Sequence, residues 1–265
     1  MKPKYLLEIS VETLEAATAA ERGGAHRIEL CESLHVGGVT PGAELMRAAR
    51  ARVKIPIFAM VRPRDANFVF SAAEVRQMQR DIAIAKTCAM DGVVLGILRQ
   101  DSTIDIARTR ALVDFAQPLP VTFHRAFDEC ADLPRALEDV IATGATRLLT
   151  SGGKPTAAEG ASALADLVKA ARGRIAILPG GGINPSNLED VVRQTDATEF
   201  HSGLGSSLPY GRSSHEEFAR EVRKLADLLR KIEGTREMES ARQREAARES
   251  AESAPSAAMP STSDS

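Results

Sequence analysis

YLLEISVETLEAATAAERGGAHRIEL, residues 5 to 30, contains the unit from which the fold is built. An apolar run, YLLEI, leads into VETLEAATAAERGG, whose Ala, Leu and charged residues follow a helical period, and a second apolar run, RIEL, comes next. Gly23 is expected to close the helix as its left-handed cap residue. The first run leaves through EISVET, with no glycine. An open doubly wound sheet would place its glycine-rich phosphate turn there. The same beat recurs in IPIFAMV from Ile55, GVVLGIL from Gly92, PVTFH from Pro120, RLLTS from Arg147, IAILP from Ile175 and TEFHS from Thr198. Strand starts are 22 to 37 residues apart, one strand and one helix each. Such alternation implies parallel strands joined by right-handed crossovers. Eight units predict an α/β fold, a single-domain (β/α)8 TIM-like barrel over residues 1–233.

Composition removes several function classes. Against 34 basic side chains stand 36 acidic ones, a formal net charge of -2, so no broad positive field attracts nucleic acid. The absence of Trp, with two Tyr and eight Phe, leaves few platforms for stacking bases. No apolar run is long enough to span a membrane, and MKPKYLLEIS lacks the apolar core of a signal peptide. Cys31, Cys88 and Cys130 are widely spaced, which predicts free thiols in a cytoplasmic protein.

A barrel of this kind carries its site at the C-terminal ends of its strands. This explains why VTFHRAFDE, residues 121–129, ends an apolar strand in charged groups. Strand side chains alternate in direction, which predicts an inward set of Glu8, Ser10, Glu29, Cys31, Met60, Arg62, Thr122, His124, Thr150, Glu199 and His201. From these, Glu8, Glu29, His124 and His201 are the candidate acid–base residues. Arg62, Arg64, Asp128, Thr150, Ser151, Gly181 and Gly182 are the candidate ligand-binding residues. Arg125 is expected to turn toward the helices and pair with Asp128. An imidazole at His124 set between carboxylates should favour its charged form. The loops ILPGGGINPSN and HSGLGSS fit an anion pocket built from backbone N–H groups, with Lys154 of TSGGKP nearby. Tight turns that need glycine for backbone shape are the competing reading.

Sulfur supplies another candidate. Cys31, Cys130 and Met60 fall near the mouth, and soft sulfur ligands select Cu(I); Cys88 is expected only to pack. Two imidazoles and two carboxylates would instead suit a divalent ion.

With RGGAHRIELC, GGVTP, PIFAMVRPR, VTFHRAFD, RLLTSGG, ILPGGGI and TEFH in this order, the chain resembles the CutC family over about residues 4–233. The resemblance implies a TIM-like barrel, a cytoplasmic location, homodimers or larger homo-oligomers, and copper homeostasis with Cu(I) bound by cysteine. Cys31 matches the family's metal-ligand position, whereas a second cysteine found in some members is Ser10 here. The two function classes carried forward are a copper-binding protein and a barrel enzyme that acts by acid–base chemistry on a small anionic or phosphorylated metabolite. No organic cofactor, nucleic acid or membrane is expected. Residues 234–265 contain no Leu, Ile, Val or Phe; they are expected to extend the last helix as a charged segment and then become disordered.

Overall fold

The computed structural model of the protein describes residues 3–204 and 214–252. Its strands are β1 (Leu6–Val11), β2 (Arg27–Leu30), β3 (Ile57–Met60), β4 (Gly92–Leu95), β5 (Val121–Phe123), β6 (Arg147–Thr150), β7 (Ala176–Pro179) and β8 (Glu199–Ser202). Each begins within two residues of the expected position. All pair in parallel in the order β7-β6-β5-β4-β3-β2-β1-β8. β7 and β8 pack side by side and bring the two ends of this sheet together, with no backbone ladder between them among the described residues. The result is a nearly closed (β/α)8 barrel.

The outer helices are α1 (Leu14–Gly23), α2 (Ala43–Arg52), α3 (Ala72–Thr87), α4 (Ile106–Ala116), α5 (Leu133–Thr143), α6 (Ala161–Ala171), α7 (Leu188–Thr195) and α8 (His215–Glu252). Four of the starts are fixed by side chains that accept otherwise unpaired N–H groups. Thr13 caps α1, Asp105 caps α4 and Asp132 caps α5, while Ser71 and Glu74 form a reciprocal capping box on α3. The expectation for Gly23 is corrected. Gly24, at φ 98°, is the left-handed cap. Gly23 is the last helical residue, and a Cβ there would lie 2.6 Å from the Cβ of Val222 on α8. The pair thus divides two tasks between adjacent glycines.

Strand alternation sorts the side chains into two regions. Leu7, Ile9, Ile28, Leu30, Ile57, Val93, Phe123 and Leu148 face outward and form one apolar shell with the helices. Burial of each aliphatic side chain stabilises the fold by roughly 1.5–3 kcal/mol. The barrel interior is different, with only a small apolar cluster of Cys31, Phe58, Met60 and Val94. Charged and polar groups fill much of the rest. Helix α8 is anchored to the outer shell by Val222, Leu225 and Leu229 and continues without a break past residue 234 to Glu252. The expected disordered end falls on residues 253–265, outside the described residues.

Candidate functional site

The lower interior is an ion-pair network. Arg27 on β2 pairs with Glu8 on β1 and, at 2.8 Å, with Glu199 on β8. Arg147 on β6 reaches the same Glu199 at 2.8 Å. Both guanidinium groups lie over the Phe58 ring, 4.9 and 5.2 Å from its centroid, where cation–π attraction offsets part of their desolvation. Gly92 makes room for that ring, since a Cβ would stand 2.5 Å from Phe58 Cζ. Sequence reasoning missed Arg27 and Arg147, although Arg27 shares the parity of Glu29 and was legible on that ground.

Above this floor the network passes to an imidazole. His201 Nδ1 is 2.7 Å from Glu8 Oε1, and its Nε2 is 3.9 Å from Glu29 Oε2. Burial opposes the charge on Glu8, but Arg27 and His201 overcome it and hold the carboxyl at about 2. Glu29 is the reverse case. Burial raises its carboxyl to about 7, helped by the negative charge of Glu8 and opposed by His201 and Arg27. His201 is raised despite burial, because Glu29 and Glu8 both favour the imidazolium. Two carboxylates one strand apart thus carry protons in different pH ranges, the arrangement that separates acid and base roles.

The mouth over this floor is a cavity of about 730 Å³, bordered by Ser10, Glu29, Met60, Arg62, Phe68, His124, Arg125, Lys154, Gly181, Gly182 and His201 among others. His124 belongs to it but not beside the carboxylates. Its Nδ1 accepts from the Ala126 N–H at 3.2 Å, and its ring meets Phe68 and Phe123. Burial, and then the nearby Arg62 charge, depress it to about 3. The expected charged form is therefore corrected: His124 is neutral, and His201 is the imidazole that faces carboxylates. Gly96 leaves space for it, since a Cβ would be 2.7 Å from His124 Nδ1. Arg62 donates to the carbonyls of Val36, Gly38 and Ala66 at 2.7–3.0 Å and stacks on Phe68.

Other expected ligand contacts lie elsewhere. Thr150 points away from the mouth, because Arg147 and Leu149 take the inward positions of β6, and the inward set was one residue out of phase there. Its hydroxyl donates to Asp128 at 2.5 Å. Asp128 sits in a 3-10 turn, Arg125–Glu129, directly after β5. It also accepts from the N–H groups of Ser151 and Gly153, the Ser151 hydroxyl and Arg125 Nε. Asp128, Thr150 and Ser151 thus tie the β5 turn to the β6 loop. Arg125 makes the expected Asp128 pair at 2.8 Å, but the guanidinium borders the cavity instead of turning to the helices. Arg64 lies outside the cavity, held by Glu74 at 2.5 Å and by the carbonyls of Asp65, Asn67 and Val69.

Cys31 packs with Met60 in the interior apolar cluster. A Cβ on Gly38 would lie 3.2 Å from Cys31 Sγ and 3.6 Å from Met60 Cε, which places both sulfur residues beneath that glycine. Burial, with Glu29, Glu12 and Glu32 adding to it, pushes the Cys31 thiol well up. Cys130 is packed in the outer shell and Cys88 caps α3, so neither adds a sulfur ligand beside Cys31. Among the described residues, the one group of three or more metal-ligating types within 4.8 Å is Glu8, Glu29 and His201; His124 is not part of it. Its donors suit a borderline or hard ion, and Arg27 already neutralises Glu8.

The model of the CutC family matches residues 5–206. A CutC family protein of Chromobacterium violaceum is 41% identical over 243 residues, covering 85% of this chain and 98% of the relative. The human relative, named copper homeostasis protein cutC homolog, is 43% identical over 207 residues, which is 78% of this chain and 76% of the relative. A crystal structure of CutC from Streptococcus agalactiae superposes with a TM-score of 0.71 at 32% identity, covering 75% of this chain and 98% of that one.

Proposed function

Because the chain belongs to the CutC family, we propose that it serves copper homeostasis in the cytoplasm by binding a copper(I) ion at the tops of β2 and β3. The observation that carries this reading is the shared packing of Cys31 and Met60 beneath Gly38. A thiolate and a thioether are soft donors, and soft donors select Cu(I) over harder ions. Ser10 supplies a hydroxyl where some members have a second thiol, and a hydroxyl is a poor Cu(I) ligand. The site therefore has one strong donor and one weak donor, and the expected binding is at most micromolar-class or non-stoichiometric.

Cys31 must lose its proton to bind the metal. Since burial and three carboxylates hold that proton on, the affinity should rise about tenfold for each pH unit below the thiol's own value. Anaerobic Cu(I) titration against a competing chelator tests the reading. Cys31→Ser should lose the site, Met60→Leu should weaken it, and Cys88→Ser should bind as the wild type does. Equal affinity in the wild type and Cys31→Ser would dismiss it.

A further inference from the structure

Three buried side-chain atoms around the mouth have no hydrogen-bond partner among the described residues: Glu29 Oε1, Arg62 Nε and His124 Nε2. These residues are only 3%, 4% and 4% exposed. Leaving such a group unpaired costs about 1–3 kcal/mol, more for a charged one, so three around one cavity mark a place where a ligand completes the bonding. Their roles can be assigned. His124 Nδ1 accepts from Ala126 N–H, so in the neutral ring the proton sits on Nε2, which is a donor. Arg62 Nε is a donor as well. Both groups pack on one ring, with the His124 centroid and the Arg62 guanidinium carbon 4.8 and 4.7 Å from the Phe68 centroid. Both unpartnered atoms are themselves closed to solvent, just behind the cavity surface.

The loops after β5, β6 and β7 add cationic groups. Lys154 borders the cavity, and its ammonium has no partner among the described residues. Arg125 engages Asp128 through Nε and Ser151 through Nη2, which leaves Nη1 open. That nitrogen lies over Gly181, where a Cβ would approach it to 3.1 Å. Gly181 and Gly182, at φ 100° and 69°, adopt conformations that favour glycine. Their N–H groups have no protein acceptor among the described residues. Four donors from the β5, β6 and β7 loops, two of them charged, match the several oxygens of a phosphate group better than the two of a carboxylate. Asp128 balances the Arg125 charge at 2.8 Å, which leaves Lys154 as the unpaired cation of these loops among the described residues. Asp128 is saturated by its five donor groups. Glu129 is exposed and also borders the outer groove of Arg64 and Arg99.

We propose that the barrel mouth binds a small phosphate monoester. Its phosphate rests on Lys154, Arg125 and the Gly181–Gly182 loop, and a carbonyl or hydroxyl oxygen faces His124 and Arg62. Glu29 lies beneath as the remaining acceptor. The phosphate contacts come from the β5, β6 and β7 loops, whereas the proposed copper ligands Cys31 and Met60 end β2 and β3, with Met60 lining the same cavity, so different substitutions test the two proposals.

Calorimetric titration tests the proposal with three probes: inorganic phosphate, dihydroxyacetone phosphate and unphosphorylated dihydroxyacetone. Phosphate should bind, dihydroxyacetone phosphate should bind more tightly, and dihydroxyacetone should give no signal. Lys154→Ala, an exposed change that leaves the core intact, should weaken both phosphate compounds roughly tenfold, the worth of a charge-assisted hydrogen bond. His124→Gln, checked for folding by circular dichroism, should reduce dihydroxyacetone phosphate to the affinity of phosphate alone. Cys88→Ser, a change in the outer shell at the end of α3, should treat all three probes as the wild type does. The proposal is overturned if the wild type binds neither phosphate compound at millimolar concentration, or if Lys154→Ala binds them unchanged.

Discussion

Replacing Glu29 with Gln should make the protein more stable at mildly alkaline pH and leave it unchanged under acid. The fold holds this carboxyl at about 7 against an ordinary 4.5, with burial as the main cause. A carboxyl raised on folding contributes no penalty while it is protonated in both states. The penalty appears as pH rises above the unfolded value and is complete once pH passes the folded one. Its full size is about 3 kcal/mol, at roughly 1.4 kcal/mol per pH unit. His201 tilts the curve the same way. Its raised imidazole contributes stability that is present below its ordinary 6.5 and lost as pH climbs through the folded value. The wild type should therefore weaken between about pH 5 and pH 8, with a loss in melting temperature of roughly 6–12 °C from Glu29 alone. Urea unfolding across that range, for wild type and Glu29→Gln, measures the difference directly. The Gln variant should show a much flatter profile and exceed the wild type at the alkaline end. An unchanged pH slope, or a variant weaker than wild type at about pH 8, would refute the claim that Glu29 is strained by its own charge.

Asp128→Ala should cost about 2–4 kcal/mol, because it strands Thr150, Ser151 and Gly153 donors around an emptied position; a thermal melt within a degree of wild type would contradict that. Arg125→Ala, which removes a half-exposed pair from the same turn, should cost only about 0.2–1 kcal/mol, and the two variants compared by urea unfolding rank the contacts. Gly92→Ala forces a methyl group into the Phe58 ring and should destabilise by about 1–3 kcal/mol, read as a lowered urea midpoint. If the protein self-associates, a closed homo-oligomer is the expected form; light scattering that shows only a monomer at every concentration would count against self-association.

The barrel was legible because its cause is periodic. Apolar runs one strand and one helix apart admit few other arrangements, and each run became a strand at its expected place. The mouth was legible in part, since parity correctly turned Glu8, Glu29 and His201 inward. It failed where a strand's phase is not set by its own residues: at β6, the inward places belong to Arg147 and Leu149, so Thr150 serves the loop behind. Charge state was hidden for a different reason. His124 is neutral because burial, and then the Arg62 charge, disfavour the imidazolium, and the Phe68 and Arg62 groups beside it come from other stretches of chain. Arg64 shares a motif with Arg62, yet Glu74 and local carbonyls draw it out of the cavity. Adjacency in sequence does not select a neighbour in space.

The floor network has a consequence for how the barrel can change. Glu8, Glu199, Arg27 and Arg147 form an electrically neutral quartet. Removing any one member leaves the others with an odd charge in a buried setting, whereas losing a cation and an anion together keeps the sum at zero. Drift at these four positions should therefore proceed by coupled replacements. The same neutrality frees Glu29 and His201 above it. A single proton passing between those two leaves the total charge inside the barrel constant, so the surrounding ions have no new monopole to answer when it moves.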